Sequence, residues 1–246
     1  MAYSMALTLV HLPFSPWSIK ARCALRHHGL PVSEREYIPV LGEAMLRLRL
    51  RKLGGRVTVP VLFTPDGTLT DSWDIALYAD RVGSGSPLIP QEKRARIAEW
   101  NAASERVLSA GRVCAMLRVV DDEPDAATEA LPAPLAKLLG KRGAGLAART
   151  FNAKYAITKD KQPSSHALMR AEFSRMRQAL ADGRRYLLEQ LSYADFAMAV
   201  CVHTLRAVPS SPMGPAMLRV STDAALAAEF PDLIAWRDAL YAAHPW

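Results

Sequence analysis

The chain has 246 residues, half of them hydrophobic, with 17 prolines and a net charge of +7. That length suits one large or two small domains with a substantial core; no stretch approaches a membrane span, and no basic segment with a long apolar run opens the chain. Three scattered cysteines, Cys23, Cys114 and Cys201, form neither a disulfide framework nor a zinc pattern and read as buried free thiols in a reducing, cytoplasmic compartment.

In chain order, Leu7–His11 reads as a short strand broken by Pro13-Phe14. A helix follows with full punctuation: Ser15 as N-cap, Pro16 at the first helical position and Gly29 just past the end. Ile19, Cys23 and Arg26 share one of its faces. Residues 32–38 form a second strand, so the crossover predicts a parallel βαβ unit. Residues 42–53 alternate Leu and Arg like a strand, but Leu, Arg, Met and Glu are good helix formers, and a helix is the favoured reading. The cations here, Arg47, Arg49, Arg51, Lys52 and Arg56, have no interleaved aromatics. A solvated basic face is expected, without nucleic acid. A hairpin over residues 59–71 and a helix marked by Ile75, Ala76, Ala79 and Val82 complete the order β-α-β-α-β-β-α of a thioredoxin-like domain.

Gly83-Ser84-Gly85-Ser86-Pro87 reads as a linker. The division is residues 1–83, a linker over 84–90, and a helical region over 91–246. Within that region 91–119 is helical, and Asp121–Asp125 is expected to be a solvated acidic loop. Residues 134–160 are irregular because of Gly140, Gly143 and Gly145. Residues 166–190 form one helix with Met169, Phe173, Met176, Leu180 and Leu187 on one face. Ser192 with Asp195 is a capping-box start to an apolar helix. A loop with Pro209, Pro212 and Pro215 follows. Pro231 opens a last helix bearing Leu233, Trp236 and Leu240. There is no internal repeat.

The functional signal is concentrated in residues 57–75, V-T-V-P-V-L-F-T-P-D-G-T-L-T-D-S-W-D-I. Val59-Pro60 is either a trans bond at a strand edge or a cis bond. Either form sets Pro60 at the head of the strand, and a kink would turn the Val59 backbone outward to pair with an extended peptide. Asp71 and Ser72 stand at a helix start, where free N–H groups and the dipole favour an anion. Read alone, the stretch is equally an ordinary hairpin with an Asp/Ser helix cap.

The pattern V-P-V-L, turn, L, acidic residue, Ser, helix resembles the glutathione-binding half-site of the glutathione S-transferase family. The Ser192-Tyr193-Ala194-Asp195 box and the Pro231…Trp236 ending are similar to that family's C-terminal helices, so the likeness runs over nearly the whole chain, weakest at 120–165. The resemblance implies a thioredoxin-like α/β N-terminal domain followed by an all-α C-terminal domain that contributes the electrophile site. In it, Val59 before Pro60 pairs with the cysteinyl backbone of glutathione, and Asp71-Ser72 holds the γ-glutamyl end. Ser192 and Asp195 keep a structural role.

Ser15-Pro16-Trp17-Ser18 occupies the place of the C-x-x-C motif of thioredoxins and matches the S-P-[FW]-S pattern of bacterial family members. A serine without a base is no nucleophile, but it can donate a hydrogen bond to a bound thiolate, helped by the helix N-terminus. Ser15 is therefore the catalytic candidate, with Ser18 as runner-up and Trp17 at the mouth. Ser-Pro is also what a plain helix start looks like, and the second half-site tips the balance. Lys52 and Arg56 are candidates for the glycyl carboxylate; the family's basic residue before V-P is displaced here by Gly54-Gly55-Arg56-Val57-Thr58. Lys20 and Arg22 are expected at the surface or in ion pairs. His11, His27 and His28 have no metal spacing and are expected at the surface or strand ends without carboxylate partners.

The resemblance implies glutathione as co-substrate, no metal, a small hydrophobic electrophile as second substrate, a homodimer, no membrane and a detoxifying transferase. The alternatives are a glutathione-dependent reductase or peroxidase, a non-catalytic module of the same fold, and an isomerase or lyase using glutathione as cofactor.

Overall fold

The computed structural model describes residues 7–38, 41–52, 54–131, 133–208 and 211–245. There are two compact units, one built on the chain up to Ile97 and the other on Ala98–Ala243. The first unit runs β1 (Leu7–His11), α1 (Pro16–His27), β2 (Val32–Glu36), α2 (Leu41–Leu50), β3 (Val61–Thr64), β4 (Gly67–Leu69) and α3 (Ser72–Val82). Its sheet has the order β2-β1-β3-β4. β1 and β2 are parallel, with His11 opposite Glu36, and α1 is the crossover that a parallel pair requires. β3 is antiparallel to β1, with Val10 opposite Val61, and β4 is antiparallel to β3, with Leu62 opposite Leu69. This is the thioredoxin-like arrangement.

α1 and α3 pack together through faces built from Ile19, Cys23, Ala24, Ile75, Ala76 and Ala79, all buried. α2 makes a separate cluster in which Leu46, Val57 and Val61 are buried against Val10, Leu50 and Phe63. The Leu-Arg alternation of α2 resolves as a helix because a period of 3.6 turns Leu46 and Leu50 to one side. Leu48 is left 81% exposed. Leu53, at the end of the stretch read as helical, lies outside the described residues.

The rest is helical: α4 (Arg94–Asp121), α5 (Pro124–Glu129), α6 (Ala133–Lys154), α7 (Gln162–Ala179), α8 (Tyr193–Cys201), α9 (Pro215–Val220), α10 (Ala224–Glu229) and α11 (Pro231–Ala243). Every residue of α8 is buried. The Asp195 carboxylate accepts hydrogen bonds from Ser192 N–H at 2.8 Å, Ser192 Oγ at 3.0 Å and Leu187 N–H at 2.7 Å. It thus ties the incoming chain to the helix start. All three cysteines are free and buried.

Several local readings are corrected. The acidic stretch is a solvated break as expected, but a shorter one, confined to Asp122 and Glu123. α4 ends at Asp121 and α5 begins at Pro124, because proline suits a first helical position, and the charges have distant partners. Asp121 pairs with Lys159 at 3.0 Å, Glu123 with Arg219 at 2.9 Å and Asp125 with Lys141 at 2.7 Å. Residues 133–154 are helical in spite of their glycines, with one break at Gly140 (φ 61°, ψ −176°). α7 stops at Ala179, followed by Gly183 at φ 77°. Leu187 is therefore buried from a separate segment and not from the α7 face. Pro215 opens α9 instead of lying in a loop, and Pro209 lies outside the described residues.

The glycine-serine stretch is bonded to the first unit. Asp80 on α3 accepts from Leu88 N–H at 2.9 Å and Ile89 N–H at 2.7 Å. Its Oδ1 also lies 2.6 Å from His28 Nε2. Ser84 N–H donates to the His28 carbonyl at 3.3 Å. Only glycine fits at position 83, since a Cβ there would come within 2.3 Å of His28 Cβ and 2.8 Å of the Ala79 carbonyl oxygen.

Candidate functional site

The strand register decides what meets what. Val10 opposite Val61 puts the loop leaving β1 beside the chain entering β3. Leu62 opposite Leu69 puts the end of β4 at the same edge. Ser15, Val59-Pro60 and Asp71-Ser72 are therefore gathered at one end of the sheet, the C-terminal end of β1. Ligands of open α/β sheets settle at this kind of edge.

Ser15 is extended (φ −70°, ψ 124°) and is the N-cap of α1, with Pro16 next, yet its side chain makes no capping hydrogen bond. Ile19 N–H donates to the Ser15 carbonyl at 2.9 Å, the first hydrogen bond of the helix. The hydroxyl does not take the usual partner of an N-cap serine and lies at the positive end of a twelve-residue helix. Ser18 is different. It is fully buried and its Oγ accepts from Leu12 N–H at 3.2 Å, so it locks the turn between β1 and α1. Trp17 is partly exposed in the same turn.

Val59-Pro60 is cis, which decides between the two forms left open by the sequence. Asp71 caps α3, its Oδ1 accepting from Trp73 N–H at 2.8 Å, and the residue remains exposed. Ser72, the first residue of α3, is 2% exposed. The ordinary-cap reading of Asp71 is therefore realised, and it leaves a carboxylate at the surface beside a helix N-terminus.

Lys52 and Arg56 are exposed on the segment leading into β3. The Lys52 ammonium donates to the Arg56 carbonyl at 3.2 Å. Arg47 bridges from Glu43, at 2.8 Å, to the Gly55 carbonyl at 2.9 Å. Arg49 stacks its guanidinium 3.7 Å from the centre of the Phe63 ring. These contacts tie α2 to the segment that carries both candidate cations. They join residues up to fourteen positions apart in sequence, and no local motif announces them.

The surrounding charges are settled internally. His11 is a strand-end residue, but it is buried and has a carboxylate partner, Glu34 Oε2 at 3.1 Å. Arg22 shares that carboxylate at 3.2 Å. Burial pushes the His11 imidazole below its ordinary value against the pull of Glu34. His28 is likewise buried on a carboxylate, Asp80, where the sequence reading expected a surface histidine. Lys20, expected at the surface or in an ion pair, is fully buried. The Cys23 thiol of α1 is pushed up to about 12 by burial, so it is not a thiolate near neutrality. Among the described residues no group of three or more His, Cys, Asp or Glu could hold a metal ion, and no helix is long and apolar enough to cross a membrane.

Residues 9–87 match the family model described as "Glutathione S-transferase, N-terminal domain". No curated protein matches the sequence. Solved structures with the same fold include a glutathione S-transferase of Methylobacillus flagellatus with glutathione bound, at 19% identity and TM-score 0.62 over 96% of this chain and 95% of that one. A glutathione S-transferase of Ceriporiopsis subvermispora in complex with glutathione is similar at 20% identity and TM-score 0.62, over 98% of each chain. The β-etherase LigF of Sphingobium is similar at 18% identity and TM-score 0.65, over 97% of this chain and 96% of that one. At such identities these likenesses establish the fold.

Proposed function

We propose that this chain, whose residues 9–87 match the N-terminal domain model of the glutathione S-transferase family, binds glutathione at the C-terminal end of β1, stabilises the thiolate and adds it to a small hydrophobic electrophile. The observation that carries this is Ser15. Its hydroxyl sits at the start of α1 without serving as a side-chain cap, which leaves it available to donate to a bound sulfur. A thiol with pKa about 8.5 is only a few per cent ionised near neutrality, and lowering it by about two units takes roughly 2.7 kcal/mol. One charge-assisted hydrogen bond and a helix N-terminus can supply that together. Val59 would pair with the peptide backbone, Asp71 with the ammonium and Ser72 with the γ-glutamyl carboxylate. Arg56 would take the glycyl carboxylate, or Lys52 would once its ammonium leaves the Arg56 carbonyl. The helical region would contribute the electrophile site. The reading includes a homodimer working on reactive electrophiles in the cytoplasm.

Calorimetric titration of glutathione into wild type, Ser15→Ala and Ser72→Ala tests this, with thiolate absorbance followed across pH. Wild type should bind, and Ser72→Ala should bind at least about tenfold more weakly, one lost charge-assisted bond. Ser15→Ala should bind but return the thiol to its ordinary pKa. No heat at millimolar glutathione rejects the reading. A second reading, in which the bound thiolate displaces the alkoxide of an ether so that a C–S bond forms as the C–O bond breaks, is favoured by the similarity to a protein titled a β-etherase. Product analysis separates the two, because displacement releases an alcohol and addition does not.

A further inference from the structure

α6 uses its residues the wrong way round for a helix that only has to pack. Its buried positions are alanines, Ala144 and Ala148, which join a small cluster with Val119, Ala126, Ala127, Ala216 and Val220. All its large apolar side chains but Leu135 point out. Leu138 is 81% exposed and Leu146 67%, with Leu139 and Phe151 also exposed. These are four of the eight exposed large apolar side chains among the described residues, so this one helix holds half of them.

The charge on α6 is one-sided as well. Residues 133–154 contain Lys137, Lys141, Arg142, Arg149 and Lys154 and no acidic residue. At the Gly140 break, Lys137, Leu138, Leu139, Gly140, Lys141 and Arg142 are all exposed, and a Cβ on Gly140 would meet no atom within 4 Å. Past the break, Arg142, Leu146, Arg149 and Ala153 recur at helical spacing as one exposed stripe. Leu146 thus stands between two arginines along the helix. Lys141 is held by Asp125 at 2.7 Å.

We propose that the outer face of α6, from Lys137 to Arg149, is a docking surface for an anionic lipid bilayer. Exposed leucines flanked by arginines suit the interface plane, with the apolar side chains entering the headgroup boundary and the long cationic ones reaching anionic phosphates. A second copy of the chain fits poorly, because a two-fold contact centred on this stripe would set Arg142 against Arg149 of the copy, cation against cation. The inference is independent of glutathione binding and replaces the expectation of no membrane partner. It concerns peripheral adsorption, not spanning.

The test is co-sedimentation of the full chain with phosphatidylcholine vesicles, with and without equal parts of phosphatidylglycerol. Binding should appear only with the anionic lipid and fade with salt. Arg142→Glu with Arg149→Glu, and separately Leu138→Ser with Leu146→Ser, should each weaken it at least about tenfold. Both pairs leave the alanine face untouched, and an unchanged melting temperature confirms folding. The indole of a Leu146→Trp variant should shift its emission to the blue on the anionic vesicles alone. The proposal is overturned if the chain does not sediment with anionic vesicles in low salt, or if both double variants bind like wild type. Capture of poly-glutamate through this face, with vesicles ignored, overturns it in favour of an acidic polypeptide. A mass in the ultracentrifuge that is halved by the leucine variants overturns it in favour of self-association.

Discussion

At the scale of single residues, the two serines of the first turn separate function from architecture. An N-cap serine usually contributes about 0.5–2 kcal/mol through its side chain. Ser15 makes no such bond, so Ser15→Ala should change stability by less than about 0.5 kcal/mol, the range of sites without such a feature. Ser18→Ala removes the acceptor of Leu12 N–H in a buried turn and should cost about 1–3 kcal/mol. Urea denaturation of the two variants checks the contrast. Equal losses would mean that Ser15 is an ordinary cap after all. Asp195 belongs with Ser18. It organises three hydrogen bonds around the start of α8, and burial raises its carboxyl to about 6.

At the scale of elements, Gly140 sets the shape of α6. Its φ of 61° and ψ of −176° lie in a region essentially closed to other residues. Gly140→Ala should therefore lower stability by about 1–3 kcal/mol although no atom stands in the way of the new methyl, and a urea midpoint equal to wild type would contradict the break. Elements with local punctuation were legible in the sequence. α1 announces itself by Ser15, Pro16 and Gly29, and α8 by Ser192 and Asp195, because a cap is a contact between near neighbours. The acidic stretch 121–125 was legible as a break but its ion pairs were not, because the partners, Lys159, Arg219 and Lys141, lie up to 96 residues away. The end of α7 was missed because apolar spacing continued past a left-handed Gly183. For the candidate site, the motif residues were legible and their supports were not. His28 finds Asp80 across 52 positions, and no spacing in the sequence marks that pair.

At the scale of the whole molecule, buried histidines govern the response to acid. His203 is lowered to about 3 by burial, with Arg237 adding to it. Burial also lowers His11 and His28, against their carboxylate partners. In the unfolded chain each takes a proton near 6.5, so below that pH the unfolded state binds more protons and stability falls, for His203 by about 1.4 kcal/mol per pH unit down towards 3. Asp195 acts in the opposite sense. Its raised pKa contributes stability that is full below 3.8 and lost as pH rises through about 6. The displacement of His203 is wider than that of Asp195 and His11 and His28 act in the same direction as His203, so urea midpoints should drop from neutral to mildly acid buffer, and His203→Asn should flatten the drop. A level profile would contradict it.

The Asp80 contacts bear on where this polypeptide can be cut. The glycine-serine run looks like the natural seam for expressing the N-terminal half by itself. A fragment ending at Val82 would strip the Asp80 carboxylate of the Leu88 and Ile89 amides and leave it, with the His28 ring, at a raw edge. A fragment carried through Ile97 keeps that hem closed. The longer piece should yield a folded N-terminal fragment where the shorter one precipitates, and for the same reason a protease should spare the glycines and serines that composition marks as its easiest target.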